Sequence, residues 1–109
     1  MEKTKLGLTE NIEAALSYVL GPITGIVFLV IERDNKFVGF HALQSIVYFG
    51  ILWVAITVFS FIPFVGTIVA SILDLLYFIS WIYLIFSAYK GRTFKVPVIG
   101  DAAWAQINK

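Results

Sequence analysis

The chain has 109 residues, the length of one domain. Hydrophobic residues make up 60% and charged residues 14%, against roughly 45–50% and about 25% in soluble domains. A net charge of +1 provides no broad basic field for nucleic acid. The absence of cysteine excludes disulfides, thiol catalysis and cysteine-ligated metals.

Placement of the charges says more than their number. From Phe37 to Tyr89 the only formally charged side chain is Asp74. Two helices of a soluble protein would each need a polar face, and this stretch cannot supply one. The solvent that fits is a bilayer. The expected fold class is all-α: a single membrane domain over 1–109 with three transmembrane helices and a short amphipathic C-terminal helix.

The first apolar run covers residues 12–31. Thr9 can cap it, with Glu10 and Glu13 in the first turn, where the helix dipole favours acids. Its length of about 30 Å matches a hydrocarbon core and exceeds a signal-peptide core. Pro22 lies at its middle, lacks an N–H and predicts a kink. The alternative is two half-helices forming a re-entrant hairpin. Ser17, Gly21 and Gly25 recur every four residues, a small-residue row that allows close helix packing within one chain or in a dimer.

Glu32 to Lys36 forms a charged loop in which Asp34 or Asn35 can cap the next helix. That helix starts near Phe37 and crosses over about 42–61. Phe61 to Gly66 is an uncharged turn punctuated by proline and glycine. The third span covers about 65–89, and Gly91 suits the left-handed position after its end. The tail, 90–109, is extended up to Gly100, because Pro97 bars a helix. Asp101 then caps a last helix over 102–108 that places Ala103, Trp104 and Ile107 on one face.

Four polar features stand out. His41, Gln44, Ser45 and Tyr48 share one helical face near the membrane boundary. They read as a proton relay, a metal ligand, or a polar patch bonding headgroups or a neighbouring helix; a metal site would need ligands besides this one histidine. Asp74 lies near mid-bilayer, on a face with Thr67 and Ser71. An ionised carboxylate there costs roughly 2.5–3.5 kcal/mol on insertion scales. Its carboxyl is expected to point toward span 1 or span 2. Thr57, Ser17, Tyr18 and the Tyr18 carbonyl freed by Pro22 are the candidate partners, with Ser71 a local option one turn back. Lys90, Arg92 and Lys95 follow the third span and, with Trp104, suit lipid headgroups. Tyr18, Trp53, Tyr77 and Trp81 read as packing or lipid-facing residues. No phosphate loop, activated nucleophile or paired carboxylates suggest an enzyme, and no cofactor is expected.

The string Glu32-Arg33-Asp34-Asn35-Lys36-Phe37-Val38-Gly39-Phe40-His41-Ala42-Leu43-Gln44-Ser45 resembles the signature of a family of small prokaryotic membrane proteins. That family is distantly similar to a membrane subunit of the chloroplast inner-envelope (Tic) protein-import translocon. Pro63-Phe64-Val65-Gly66 and the stretch from Gly91 to Asp101 fit it as well. Members usually carry a basic residue where this chain has Gly39. The resemblance implies a multi-pass helical protein of the cell membrane and brings no catalytic residues.

Three spans place Arg33, Lys36, Lys90, Arg92, Lys95 and Lys109 on one side and Lys3 and Lys5 on the other. The positive-inside rule then puts the C-terminus in the cytoplasm and the N-terminus outside. The functional expectation is a non-enzymatic scaffold or assembly factor working through helix–helix contacts. Its partners would be membrane lipids and either further copies or another membrane protein. The alternative is an oligomeric channel or proton- or cation-coupled carrier using Asp74.

Overall fold

The structure is a computed structural model that describes residues 3, 4 and 6–108. Among these residues the regular structure is helical: α1 (Glu10–Val19), α2 (Pro22–Ile31), α3 (Lys36–Ser60), α4 (Val65–Tyr89) and α5 (Ile99–Ile107). One isolated bridge joins Lys3 to Thr9. The calls that rest on Lys5 and Lys109 lie outside the described residues.

Two helices, α3 and α4, are long and apolar enough to cross a membrane. Each has 25 residues, about 37 Å at 1.5 Å per residue. The Asn35 side chain caps α3 by accepting from the Val38 N–H at 2.9 Å. The turn at 61–64 is tight. A Cβ on Gly66 would lie 2.1 Å from the Phe59 carbonyl oxygen, so only glycine fits. At the far end of α4, Gly91 takes a φ of 79°. The Arg92 N–H returns to the Ser87 carbonyl and the Gly91 N–H to the Ala88 carbonyl, both at 3.0 Å. That Schellman ending closes α4.

The first apolar run does not form a third span. It folds into two helices of ten residues each, about 15 Å long. α1 runs along the C-terminal half of α4: Asn11 Nδ2 donates to the Tyr89 carbonyl at 2.8 Å, and Trp81 Nε1 donates to the Tyr18 carbonyl at 2.9 Å. The chain then reverses. α2 runs back along the N-terminal half of α3, packing Phe28 against Val38 and Ala42. Its end returns to the start of α1, where Asn35 Nδ2 donates to Glu10 Oε2 at 3.0 Å. The run is thus a hairpin of two half-helices in place of one long kinked helix.

The cause is local. Pro22 cannot donate to the ladder of α1, and Gly21 takes a φ of 62° and a ψ of −130°, a conformation that L side chains rarely adopt. Pro22 therefore sits at the first position of α2, where a missing N–H costs nothing. Instead of kinking one helix, it starts a second one.

The tip of this hairpin reaches mid-height. A Cβ on Gly21 would approach Phe49, Trp53 and Tyr77, and Tyr77 is the midpoint of α4. One half of the molecule therefore holds α1, α2, α5 and halves of α3 and α4. The other half is only the α3–α4 hairpin. The main core, with Ala14, Ala15, Tyr18, Phe49, Leu84 and Ala88, lies in the fuller half.

The tail lies across the fuller end. α5 starts at Ile99, earlier than a cap at Asp101 predicts, after Val98 at a φ of 67°. Its Ala103 is buried. Trp104 meets Phe40 edge-on at 5.5 Å between ring centroids. The described ends of the chain, near Lys3 and Asn108, and the 32–35 loop therefore lie at one end of the molecule, whereas three spans would have set the first segment opposite the tail.

Candidate functional site

The face of α3 that carries His41, Gln44, Ser45 and Tyr48 turns into the protein. The first three are fully buried. Gln44 Nε2 donates to the Tyr18 hydroxyl at 2.9 Å, and that hydroxyl lies 2.6 Å from His41 Nδ1. Since the hydroxyl accepts from Gln44, its proton goes to His41 Nδ1. The other ring nitrogen, Nε2, lies 2.8 Å from the Arg92 carbonyl and donates to it. The ring is thus neutral with its proton on Nε2. Both nitrogens are engaged, so neither is open to a metal. The chain of hydrogen bonds ends on a backbone carbonyl, which carries no proton onward.

Gln44 also holds the tail. Its Nε2 donates to the Phe94 carbonyl at 3.0 Å, and its Oε1 accepts from the Val96 N–H at 2.8 Å. Ser45 Oγ donates to the Gly21 carbonyl at 2.9 Å, fixing the hairpin tip. Tyr48 shares a hydrogen bond with Ser80 at 2.7 Å, joining α3 to α4. The bonds this cluster makes run to neighbouring elements of the same chain. The cluster is a lock that ties the hairpin and the tail to α3.

Tyr18, read from the sequence as packing, is the hub of this lock. Trp81, read the same way, donates to the carbonyls of Tyr18 and Val19 at the chain break, the first of which also accepts from the Gly21 N–H at 3.0 Å. An aromatic residue with a polar tip beside a Gly-Pro break was the available signal.

The small-residue row is split by the same break. Ser17 on α1 bonds back to the Ala14 carbonyl, Gly21 forms the turn, and Gly25 on α2 faces α3. A Cβ at Gly25 would lie 2.8 Å from the Ala42 carbonyl oxygen. Gly25 thus serves packing within the chain, and the three residues present no common surface.

Asp74 does not meet the expected partners. It is exposed, as are Thr67 and Ser71. Ser71 Oγ bonds to the Thr67 carbonyl of its own helix, and Thr57 to the Trp53 carbonyl. The Tyr18 carbonyl is taken by Trp81. Asp74 lies on the face of α4 toward α1, but span 1 turns back before reaching it.

At the base of the hairpin Glu13 is buried. It accepts a hydrogen bond from the Thr4 hydroxyl. Burial pushes its carboxyl up from 4.5 to about 7; the Thr4 bond opposes this and the neighbouring Glu32 adds to it. Among the described residues no three His, Cys, Asp or Glu side chains gather to hold a metal ion. In the tail, Lys95 Nζ lies 4.8 Å from the centre of the Trp104 ring, and Lys90 Nζ 5.4 Å from that of Phe86. Both cations, with Arg92, stay at the exposed rim.

Residues 2–103 match the model of the magnetosome magnetite crystal formation protein family, MamF/MmsF. A UPF0132 membrane protein of Methanocaldococcus jannaschii is 53% identical over 103 residues, covering 94% of this chain and 93% of its own. One from Archaeoglobus fulgidus is 48% identical over 101 residues, covering 93% and 98%. A second M. jannaschii protein of the same name is 39% identical over 98 residues, covering 90% and 70%. No solved structure matches the chain. The match over nearly the whole chain and the identity to these archaeal relatives establish that the protein belongs to the MamF/MmsF family of small UPF0132 membrane proteins.

Proposed function

We propose that this protein is a non-enzymatic scaffold or assembly factor of the cell membrane that acts through helix–helix contacts. The observation that supports this reading is how its polar groups are spent. Tyr18, His41, Gln44 and Ser45 bond to one another and to backbone carbonyls. They fix a shape. The family's description as crystal-formation proteins is in keeping with an assembly role. The resemblance to a Tic subunit adds an analogy of fold, which does not by itself carry a function.

The protein enters the membrane by two crossing helices and one re-entrant hairpin. Lys3, Arg33, Lys36, Lys90, Arg92 and Lys95 gather at the end that holds both termini, while the 61–64 turn has no charge. The positive-inside rule places that end in the cytoplasm. There the basic rim and Trp104 meet lipid headgroups.

Crosslinking and co-purification from native membranes test the scaffold. Recovery with a membrane partner or as a self-associated complex supports it, and recovery as a lone monomer overturns it. The channel or carrier alternative draws on one observation, the exposed Asp74 at mid-height. Ion flux in liposomes that Asp74→Asn abolishes would establish it in place of the scaffold.

A further inference from the structure

The molecule tapers from one end to the other, and the reversal at Gly21-Pro22 is the cause. Through the half that holds Lys3 and Asn108 run α1, α2, the first half of α3 and the second half of α4. Among the described residues, only α3 and α4 run through the other half. At a helix diameter of about 10–12 Å, the fuller half exceeds the thinner one by two helices, or about 160–220 Å² of cross-section. α5 widens the fuller end further, because it packs across the start of α3: a Cβ on Gly39 would lie 3.2 Å from Ile107 Cδ1. In the thinner half Val54, Val58, Ile68 and Ile72 are exposed.

The hairpin that makes the taper is pinned along its length. At its base Asn11 bonds to the Tyr89 carbonyl and Asn35 to Glu10. Between base and tip, Gly25 brings α2 against the Ala42 carbonyl of α3. At the tip the Gly21 carbonyl accepts from Ser45 and the Tyr18 carbonyl from Trp81, both at 2.9 Å. Beside Gly21, Trp53 Nε1 donates to the Tyr77 hydroxyl at 2.9 Å. A close-packed, cross-bonded body resists deformation, whereas a bilayer adapts its shape at modest cost. The lipid therefore conforms to the taper. Helical bulk placed in one leaflet expands that leaflet and favours membrane convex on that side, which is why helices inserted into one face are curvature-sensitive. Resting on the re-entrant reading above, we infer that this chain is a curvature-sensing wedge that gathers where the membrane is convex on the face holding Lys3 and Asn108. The charge distribution makes that face the cytoplasmic one. The partner is a lipid surface of defined curvature, and the wedge gives an assembly factor a place in the membrane to collect.

The chain has no cysteine, so a dye on Asn108→Cys, an exposed position, marks the fuller end. The full chain is reconstituted in giant vesicles of phosphatidylcholine and phosphatidylglycerol, and a thin tether is pulled outward from each. The tether is convex on its outer face, and protein and a lipid dye exchange with the vesicle body by diffusion. A membrane-impermeant reductant bleaches the outward-facing protein dye and so separates the two orientations. Chains with residue 108 outside should show a higher protein-to-lipid ratio in the tether than in the body, and chains with it inside a lower one. Broadening the thinner half with Val58→Trp and Ile68→Trp should shrink both differences. Ile26→Trp with Ile82→Trp, at exposed positions of the fuller half, should not. Equal ratios in both orientations, reversed differences, or undiminished sorting in the Val58→Trp, Ile68→Trp chain would overturn the inference. Maleimide labelling of Leu6→Cys and Asn108→Cys in sealed vesicles separates the two claims. Labelling from one side together with equal ratios overturns the wedge alone and leaves the re-entrant reading standing. Labelling from opposite sides overturns both.

Discussion

Replacing Gln44, a buried side chain, by leucine removes three hydrogen bonds at once. The side chain donates to the Tyr18 hydroxyl at 2.9 Å and the Phe94 carbonyl at 3.0 Å, and accepts from the Val96 N–H at 2.8 Å. At roughly 0.6–1 kcal/mol net per bond the loss is about 2–3 kcal/mol. Two of the three bonds hold the tail, so the effect should fall on residues 92–98, with α3 and α4 remaining paired. Arg92 and Lys95 in that segment are trypsin sites on exposed residues. If cleavage proceeds through local opening, the two tail bonds, about 1.2–2 kcal/mol together, should raise its rate there by about 8- to 30-fold. Cleavage timed by mass spectrometry in bicelles reads this directly, with helicity by circular dichroism as the control. Unchanged cleavage at Arg92 and Lys95 would refute the lock.

Other substitutions probe the hairpin. Gly21→Ala should destabilise by about 1–3 kcal/mol, because the position needs a positive φ and its Cβ would lie 2.7 Å from the Tyr77 hydroxyl; denaturation in mixed micelles measures this. Pro22→Ala should be close to neutral in the same assay, since Pro22 opens α2 and interrupts no ladder. Gly25→Val should separate α2 from α3, as its Cβ would meet the Ala42 carbonyl at 2.8 Å and Ile46 Cγ1 at 2.9 Å; faster hydrogen exchange across 22–31 would show it. The carboxyl of Glu13 is raised in the folded state, so its stabilising protonation is fully present below about pH 4.5 and is lost as pH rises through about 7. Cleavage at Lys3 should accelerate over that window, and Glu13→Gln should flatten the response.

The α3–α4 hairpin was legible because every signal for it is local. An apolar stretch with one charged side chain, an asparagine cap and a glycine ending set its limits within a few residues. The first apolar run was ambiguous for a physical reason: its length and composition satisfy both a crossing helix and a folded hairpin. The choice is made by Gly21 adopting a positive φ and by docking of both halves on α3 and α4, which no local pattern encodes. The bonds of the Tyr18 hydroxyl were not legible because its partners His41 and Gln44 lie 23 and 26 positions away. The tail's bonds to Gln44 span 50 and 52. For Asp74 the face was legible and the depth of its neighbour was not. The expected acceptor, the Tyr18 carbonyl, is real, but Trp81 reaches it.

The central claim is that the first apolar run enters and leaves the membrane on one side. Leu6→Cys, Arg33→Cys, Asn108→Cys and Pro63→Cys, all at exposed positions, can be labelled one at a time with a membrane-impermeant maleimide in sealed vesicles of known orientation. The account predicts that the first three label from the same side and Pro63→Cys from the opposite side. Labelling of Leu6→Cys from the side opposite Asn108→Cys would mean that the run crosses, and would contradict the account.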